Sequence, residues 1–112
     1  MQPDDEVRIR HLIDAASTAA QFVEDRDRAD LDTDEMLRLA LTKLVEIVGE
    51  AAKQVTPSGR AELPDVPWSA AARTRDRLVH HYFDIDLDVL WTTVTEDLPR
   101  LLDALDEGPA QG

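Results

Sequence analysis

Apolar side chains recur every three or four residues along most of the chain, which is the spacing of helices that bury one face. Four segments show this spacing, at about 5–26, 33–55, 67–83 and 87–106. The residues between them are polar, charged or rich in proline and predict breaks, at 27–33, 56–67 and 84–86. No segment has the alternating pattern of a half-buried strand. The pattern predicts an all-α fold, an antiparallel bundle of four or five helices.

Local signals place the ends of these predicted helices. Asp32 stands three residues before Glu35, as in a capping box, and predicts the start of the second helix. Pro67 favours the first position of the third helix, and Asp86 is the expected N-cap of the fourth. Pro99 lies inside the fourth helix, where it should kink the helix or remove one hydrogen bond.

The second predicted helix is apolar over an unusually wide arc. Its stripe and flanking positions are Leu37, Leu41, Leu44, Val48, Ala51 and Val55, with Ala40, Val45 and Ile47. One neighbouring helix cannot cover an arc of this width. The helix is therefore expected either at the centre of the bundle or at a subunit interface.

Length and charge narrow the class of protein. A chain of 112 residues supplies one core, so we expect a single domain over residues 1–112, with 5–106 ordered and 107–112 frayed. The formal net charge of -12 argues against coating of nucleic acid, DNA included, or of an anionic membrane by bulk attraction, so any RNA chemistry needs a local basic site. There is no cysteine and no apolar run near the ~20 residues of a membrane span. The expectation is a soluble, cytoplasmic protein.

Basic residues are concentrated in one stretch. Residues 53–81 hold five basic and three acidic side chains, a net charge of +2, so the remaining residues carry -14. The densest part is RTRDRLVHHYF, residues 73–83, which also holds two of the three histidines and the only tyrosine. This segment is the candidate site of chemistry.

On a continuous helix at about 100° per residue, Asp76 and His80 share a face, so the carboxylate would orient the imidazole. Arg75 and Tyr82, seven residues apart, share another face. Arg75 and His80 differ by about 140° around the axis. A phosphate bound by both would lie against the helix flank or between two copies of the helix.

Each of these residues also has a purely structural interpretation. An arginine-rich helix in an acidic protein is more often a solvated face, and a lone tyrosine more often lies at the edge of a core. We interpret His11 as a surface residue, and Glu46 and Glu50 as solvated carboxylates. His80 and His81 are adjacent and point apart on a helix, which does not favour a metal site.

The order of these motifs resembles one known family. The second helix reads LVEIVGEAAK, a proline-framed loop ends in Pro67-Trp68, and RDRLVHHYF is followed by DIDLDVLW. Within this context Arg75, four residues, His80, one residue, Tyr82 resembles the motif of the HepT-like branch of the HEPN superfamily. The resemblance covers about residues 35–105.

The resemblance implies a helical homodimer whose motif helices meet near the subunit interface. It implies a metal-independent endoribonuclease, without a cofactor, that acts on RNA such as tRNA as the toxin of a HepT/MntA (type VII) toxin–antitoxin system. The implied partner is a cognate MntA-like minimal nucleotidyltransferase that neutralises the toxin by AMPylation of the motif tyrosine, which is Tyr82 here.

The residue types suit that chemistry. His80 can act as general base or acid near neutral pH, and the planar guanidinium of Arg75 can bind the phosphoryl oxygens. Asp76 would support His80, although a carboxylate opposes an anionic substrate. Two alternatives stay open, a non-catalytic HEPN module that binds a nucleotide or the nucleotidyltransferase, and a plain interaction scaffold.

Overall fold

The computed structural model describes residues 1–81 and 84–106, with His80 and His81 described by their backbone alone. The helices before the basic segment are α1 (Pro3–Phe22), α2 (Asp30–Thr33), α3 (Glu35–Gln54) and α4 (Pro57–Ala61). The basic segment forms α5 (Trp68–Ala72), α6 (Thr74–Leu78) and the strand β1 (Val79–His81), followed by the strand β2 (Asp84–Ile85). The chain then forms α7 (Leu87–Thr92), a π-helical turn (Thr93–Asp97) and α8 (Leu98–Asp106). The predicted fraying of 107–112 lies outside the described residues.

Helices α1 and α3 pack together over their length and run antiparallel. Asp5, near the start of α1, bonds to Thr56, just beyond the end of α3. Arg26, after the end of α1, forms an ion pair with Asp34 at the start of α3. The start of each helix therefore meets the end of the other, as predicted for a bundle.

Helix α3 lies at the centre of the bundle, which confirms one of its two predicted positions. It contacts α1 on one side and α5, α6 and α7 on the others. Five of the six residues of its predicted apolar stripe are buried, namely Leu37, Leu41, Val48, Ala51 and Val55, and so is Val45 at a flanking position. Leu44 and Ile47 are half-buried and pack against the same core. The wide apolar arc is explained by several neighbours within one chain.

The start of α3 differs from the sequence prediction. Residues Asp30–Thr33 form the separate turn α2, so the predicted N-cap Asp32 lies inside that turn. Asp34 is the first extended residue after it and caps α3, because its carboxylate accepts a hydrogen bond from the Leu37 backbone N–H at 3.0 Å. The prediction of Asp32 is wrong by two residues.

The last helical segment follows the prediction closely. Asp86 caps α7 by accepting from the Val89 backbone N–H at 3.0 Å. The chain stays helical to Asp106, but the five residues Thr93–Asp97 widen into a π turn immediately before Pro99. A proline cannot donate to the helical ladder, and the local change of hydrogen bonding falls where that donor is missing.

The third predicted helix is the main error. A helix over 67–83 is replaced by two single-turn helices, α5 and α6, and by a two-stranded antiparallel hairpin with an irregular register. Val79 is extended, and the Asp86 N–H donates to the Leu78 carbonyl at 2.7 Å across the hairpin base. Valine, histidine and aromatic residues are poor helix formers and favour strands, so α6 ends where that run begins. The fold is mostly helical, consistent with the predicted class, and carries this one short hairpin.

A buried carboxylate joins the start of α1 to the residue that follows the end of α3. Asp5 is 1% exposed. Its oxygens accept from the Thr56 backbone N–H at 2.9 Å and from the Thr56 hydroxyl at 2.6 Å. Thr56 in turn caps α4 by accepting from the Gly59 N–H at 3.2 Å.

Within the described residues, no helix combines the length and apolar character needed to cross a membrane.

Candidate functional site

The position of α6 depends on its close contact with α3. Thr74 and Leu78 are buried, and the Thr74 hydroxyl donates to the Ala71 carbonyl at 2.9 Å. A Cβ at Gly49 of α3 would lie 3.3 Å from that hydroxyl oxygen, so the absence of a side chain at Gly49 lets α6 approach this closely. The contact fixes the face of α3 that the next residue, Arg75, can reach.

Arg75 extends from α6 over the polar face of α3. Its Nε lies 3.5 Å from the Glu46 Oε1, and its side chain remains 52% exposed. An exposed pair of this length contributes little to stability, because solvent screens it and both side chains lose entropy. The ion pair nevertheless places the guanidinium beside α3 and not in bulk solvent.

Arg75 lines an open cleft of about 420 Å³ between α1, α3 and α6. Its charged and polar lining side chains are Arg8 and His11 of α1, Lys43, Glu46, Glu50 and Gln54 of α3, and Arg75. Three cations and two carboxylates give the cleft a net positive charge even with His11 neutral. The cleft is therefore a local positive site on a protein of net charge -12.

The structure changes the predicted relation among the motif residues. Asp76 is exposed on α6, but His80 lies in β1, beyond the end of the helix at Leu78. The prediction that Asp76 and His80 share a helical face is therefore wrong, and so is the angle of about 140° assigned to Arg75 and His80. Leu78 is buried and Val79 packs against the core, so these two residues anchor the segment.

Part of the predicted site lies outside the described residues. Tyr82, the predicted AMP acceptor, lies outside them. The side chains of His80 and His81 are outside as well, so their predicted roles stay predictions. Across residues 1–81 and 84–106, apart from those two histidine side chains, no group of three or more His, Asp or Glu residues is arranged to hold a metal ion.

Sequence reasoning missed the part of the cleft that α1 and α3 supply. His11 is exposed, as predicted, but it lines the cleft with Arg8 and Lys43. The spacing of Arg8 and His11, three apart, and of Lys43, Glu46 and Glu50 places each set on one helix face. That signal is visible in the sequence. Nothing in the sequence shows that the two faces meet each other and Arg75.

The fold and the cleft define a small, mostly helical protein with a cationic site beside an arginine motif. The family model described as ribonuclease HepT-like matches residues 12–107. The chain belongs to this HepT-like ribonuclease family. No solved structure matches it.

Named relatives agree with the family. A protein of Thermococcus cleftensis named "Probable ribonuclease HepT" is 34% identical over 93 residues, covering 83% of this chain and 84% of that protein. A "Putative RNase" of Methanocaldococcus jannaschii is 33% identical over 90 residues, covering 80% of this chain and 83% of that protein. A "Putative RNase" of Caldanaerobacter subterraneus is 29% identical over 93 residues, with 83% coverage of both.

Proposed function

We propose that this protein is a metal-independent endoribonuclease and the toxin of a HepT/MntA-type toxin–antitoxin system. Membership in the HepT-like ribonuclease family supports the activity. The observation that carries the proposal is the placement of Arg75, the motif arginine, in a cleft that has a local excess of positive charge. A polyanionic substrate needs such a site on a protein whose overall charge repels it.

Cleavage without a metal requires attack of the RNA 2′-hydroxyl oxygen on the neighbouring phosphorus. A base removes the hydroxyl proton, the new P–O bond forms a cyclic phosphate, and the 5′-oxygen leaves with a proton from an acid. His80 would serve as base or acid, a contribution of about 100- to 10,000-fold. Arg75 would bind the phosphoryl oxygens as negative charge accumulates on them.

The break between α6 and β1 affects how these groups would meet. Arg75 lies within helix α6, whereas His80 lies in the strand β1 that follows the end of α6. The two are therefore not bound to the fixed spacing of a helix surface. We propose that the active form is a homodimer in which the motif segments of two copies line one cleft.

The proposal is tested by substitutions in the motif with a matched control on the same helix. We expect cleavage of cellular RNA in the presence of a chelator by the wild type and by Arg77→Ala, because Arg77 pairs with Asp97 away from the cleft. Arg75→Ala and His80→Ala should lose at least about 100-fold in rate. Induced expression should slow growth only with the two active proteins.

Equal growth and equal absence of cleavage in all four strains would contradict catalysis. If the wild type then still bound a nucleotide or a nucleotidyltransferase, the non-catalytic binding module would replace the nuclease. Circular dichroism on each variant establishes that a lost activity is not a lost fold.

Neutralisation is proposed to occur at Tyr82, through AMP transfer by a cognate MntA-like nucleotidyltransferase. The phenol would attack the α-phosphorus of ATP and release pyrophosphate. The attached AMP adds negative charge and bulk two residues from His80, where an RNA phosphate would otherwise bind. Incubation with the transferase and ATP should add the mass of one or more AMP units to the wild type. Equal modification of Tyr82→Phe would show that the acceptor is another residue.

A further inference from the structure

The cleft contains cationic groups that the proposed chemistry does not use. Arg8 and His11 come from α1 and Lys43 from α3, and all three line the cleft that Arg75 lines from α6. None belongs to the basic segment at 73–83. Arg8 and Lys43 form a second cationic group in the same cavity, which we name the α1–α3 cations, and the imidazole of His11 lines the cavity with them.

The acidic groups of the cleft already have partners. Glu46 lies 3.5 Å from the Arg75 Nε, and Glu50 accepts from the Gln54 Nε2 at 3.1 Å. Glu46 is therefore paired with a cation, whereas the bond from the neutral Gln54 amide leaves the charge of Glu50 in the cleft.

The α1–α3 cations retain most of their binding capacity. Among the described residues Arg8 donates one hydrogen bond, from Nη1 to the Asp4 carbonyl at 3.2 Å, and this bond leaves its other guanidinium donors available. Within the part of the chain that the structure describes, Lys43 and His11 form no ion pair. Arg8 also acts electrostatically on the nearby Asp5 carboxylate, but it forms no ion pair with it among the described residues. Positive charge outside any ion pair, at the edge of a cavity, favours an external anion.

We propose that Arg8, Lys43 and His11 form a subsite for the RNA backbone, which binds a phosphodiester adjacent to the one held by Arg75. The inference rests on the proposed function for the identity of the ligand. We favour RNA over an acidic protein surface as the ligand, because Arg75, the motif arginine, lines the same cavity. At about 420 Å³ the cleft is within the size range of small-ligand sites.

In this proposal Arg75 and the α1–α3 cations have different roles in the cleft. Arg75 would act on the reacting phosphate, whereas the α1–α3 cations would hold the strand beside it. Contacts to a non-reacting phosphate are equally strong in the ground state and the transition state. Their loss should therefore raise KM and leave kcat nearly unchanged.

Binding is tested with an RNA that cannot react. The probe is a short, fluorescent, single-stranded 2′-O-methyl oligoribonucleotide, in which the attacking hydroxyl is blocked, titrated with the full chain and followed by anisotropy. Arg8→Gln and Lys43→Gln should each weaken binding about two- to fivefold. Each should also reduce the slope of log K against log salt by about 0.7.

Matched controls lie on the same helices. Arg10→Gln on α1 and Lys53→Gln on α3 make the same change of charge at exposed residues that do not line the cleft. We expect both controls to bind the probe as the wild type does. Cleavage of unmodified RNA by Arg8→Gln and Lys43→Gln should show a raised KM with kcat within about twofold of the wild type.

The outcomes separate this inference from the proposed function. Equal losses in the control variants would overturn the subsite, because general electrostatic attraction would then explain them. Unchanged probe binding in Arg8→Gln and Lys43→Gln would also overturn it. If these variants bound the probe normally but lost affinity for a protein partner, the surface would be a protein-binding site and not an RNA subsite. Failure of the wild type to cleave RNA, with cleft-specific binding of the probe retained, would contradict the nuclease and support the subsite.

Discussion

Helix α1 carries two kinds of charged side chain within two turns, and their surroundings differ completely. Asp5 is 1% exposed, and both of its oxygens accept hydrogen bonds from Thr56. Arg8 and His11 follow on the same helix, where they border an open cleft. His11 is exposed, and Arg8 donates to the exposed Asp4 carbonyl.

The difference shows how a charged residue can be assigned a role from its surroundings. A carboxylate that is buried and already accepts hydrogen bonds within the protein is closed to an external ligand, so it acts in stability. An exposed cation with unused donors contributes little to stability and can bind an anion. Sequence alone does not separate the two cases, since both kinds of residue are simply charged positions on one helix.

The comparison is tested most strongly by Asp5→Ala. The substitution removes the two hydrogen bonds that join the start of α1 to Thr56 and leaves a gap where the buried carboxylate was. We expect the Tm to fall by several degrees, more than for any other single substitution of a charged residue on α1. Thermal unfolding followed by circular dichroism measures it.

The control for this variant is Asp4→Ala, one residue earlier and exposed. It should lower the Tm much less, since it removes only a favourable charge from the first helical turn. A similar Tm for the two variants would show that the bonds to Thr56 do not hold the ends of α1 and α3 together. RNA binding should stay unchanged in both folded proteins.

Gly59→Ala tests the packing around the same carboxylate. Alanine normally stabilises a helix relative to glycine, by about 1 kcal/mol. Here the added Cβ would lie 2.5 Å from the Asp5 Oδ2 and 2.8 Å from its Cγ, so we expect destabilisation by about 1–3 kcal/mol instead. Chemical denaturation measures the change in the free energy of unfolding.

A double-mutant cycle gives Gly59→Ala its control. In an Asp5→Ala background the two clashing atoms are absent, and the nearest remaining contact is the Val55 Cγ1 at 3.1 Å. The cost of the added methyl group should then be clearly smaller than in the wild type. Equal costs in the two backgrounds would mean that the clash is not with Asp5.

The regular parts of the fold were predictable from the sequence because their signals are local. Apolar spacing located α1, α3 and the last helical segment, and Asp86 was identified as an N-cap by its position before an apolar run. The error at Asp32 arose because two acidic residues compete for one cap, and the short turn α2 decides between them. The hairpin was missed because a strand of three residues is too short to show a period of two.

The site was predictable only as far as its motif. The density of basic residues and the spacing of Arg75 and His80 singled out one segment, and Arg75 does line a cavity. The helical geometry assumed for the segment failed at Val79, where β-branched and aromatic residues favour extended backbone. Arg8, His11 and Lys43 could not be linked to Arg75, because their meeting depends on how α1, α3 and α6 pack.

Acid should weaken the contribution of Asp5. Its pKa lies below the ordinary value of about 3.8, first because the Thr56 hydroxyl donates to it and then because the Thr56 N–H does. A carboxyl with a lowered pKa in the folded state stabilises the fold above its unfolded pKa and loses that effect as pH falls through the folded pKa. The stability gap between wild type and Asp5→Ala should therefore be full at neutral pH and narrow below about 3.8. Urea unfolding over a pH series measures this gap, and a gap independent of pH would contradict the assignment.

The smallest expected change in stability is for substitutions of the cleft cations Arg8 and Lys43. Arg8→Gln and Lys43→Gln remove exposed or half-buried cations without an ion-pair partner among the described residues, so the free energy of unfolding should change by less than about 0.5 kcal/mol. The bond that Arg8 loses, to the Asp4 carbonyl, is exposed to solvent and contributes little. Urea unfolding of these variants beside Arg10→Gln and Lys53→Gln provides the measurement. A loss of stability in the cleft variants as large as that of Gly59→Ala would show that these side chains hold the bundle together, and the distinction between structural and ligand-binding charges on α1 would fail.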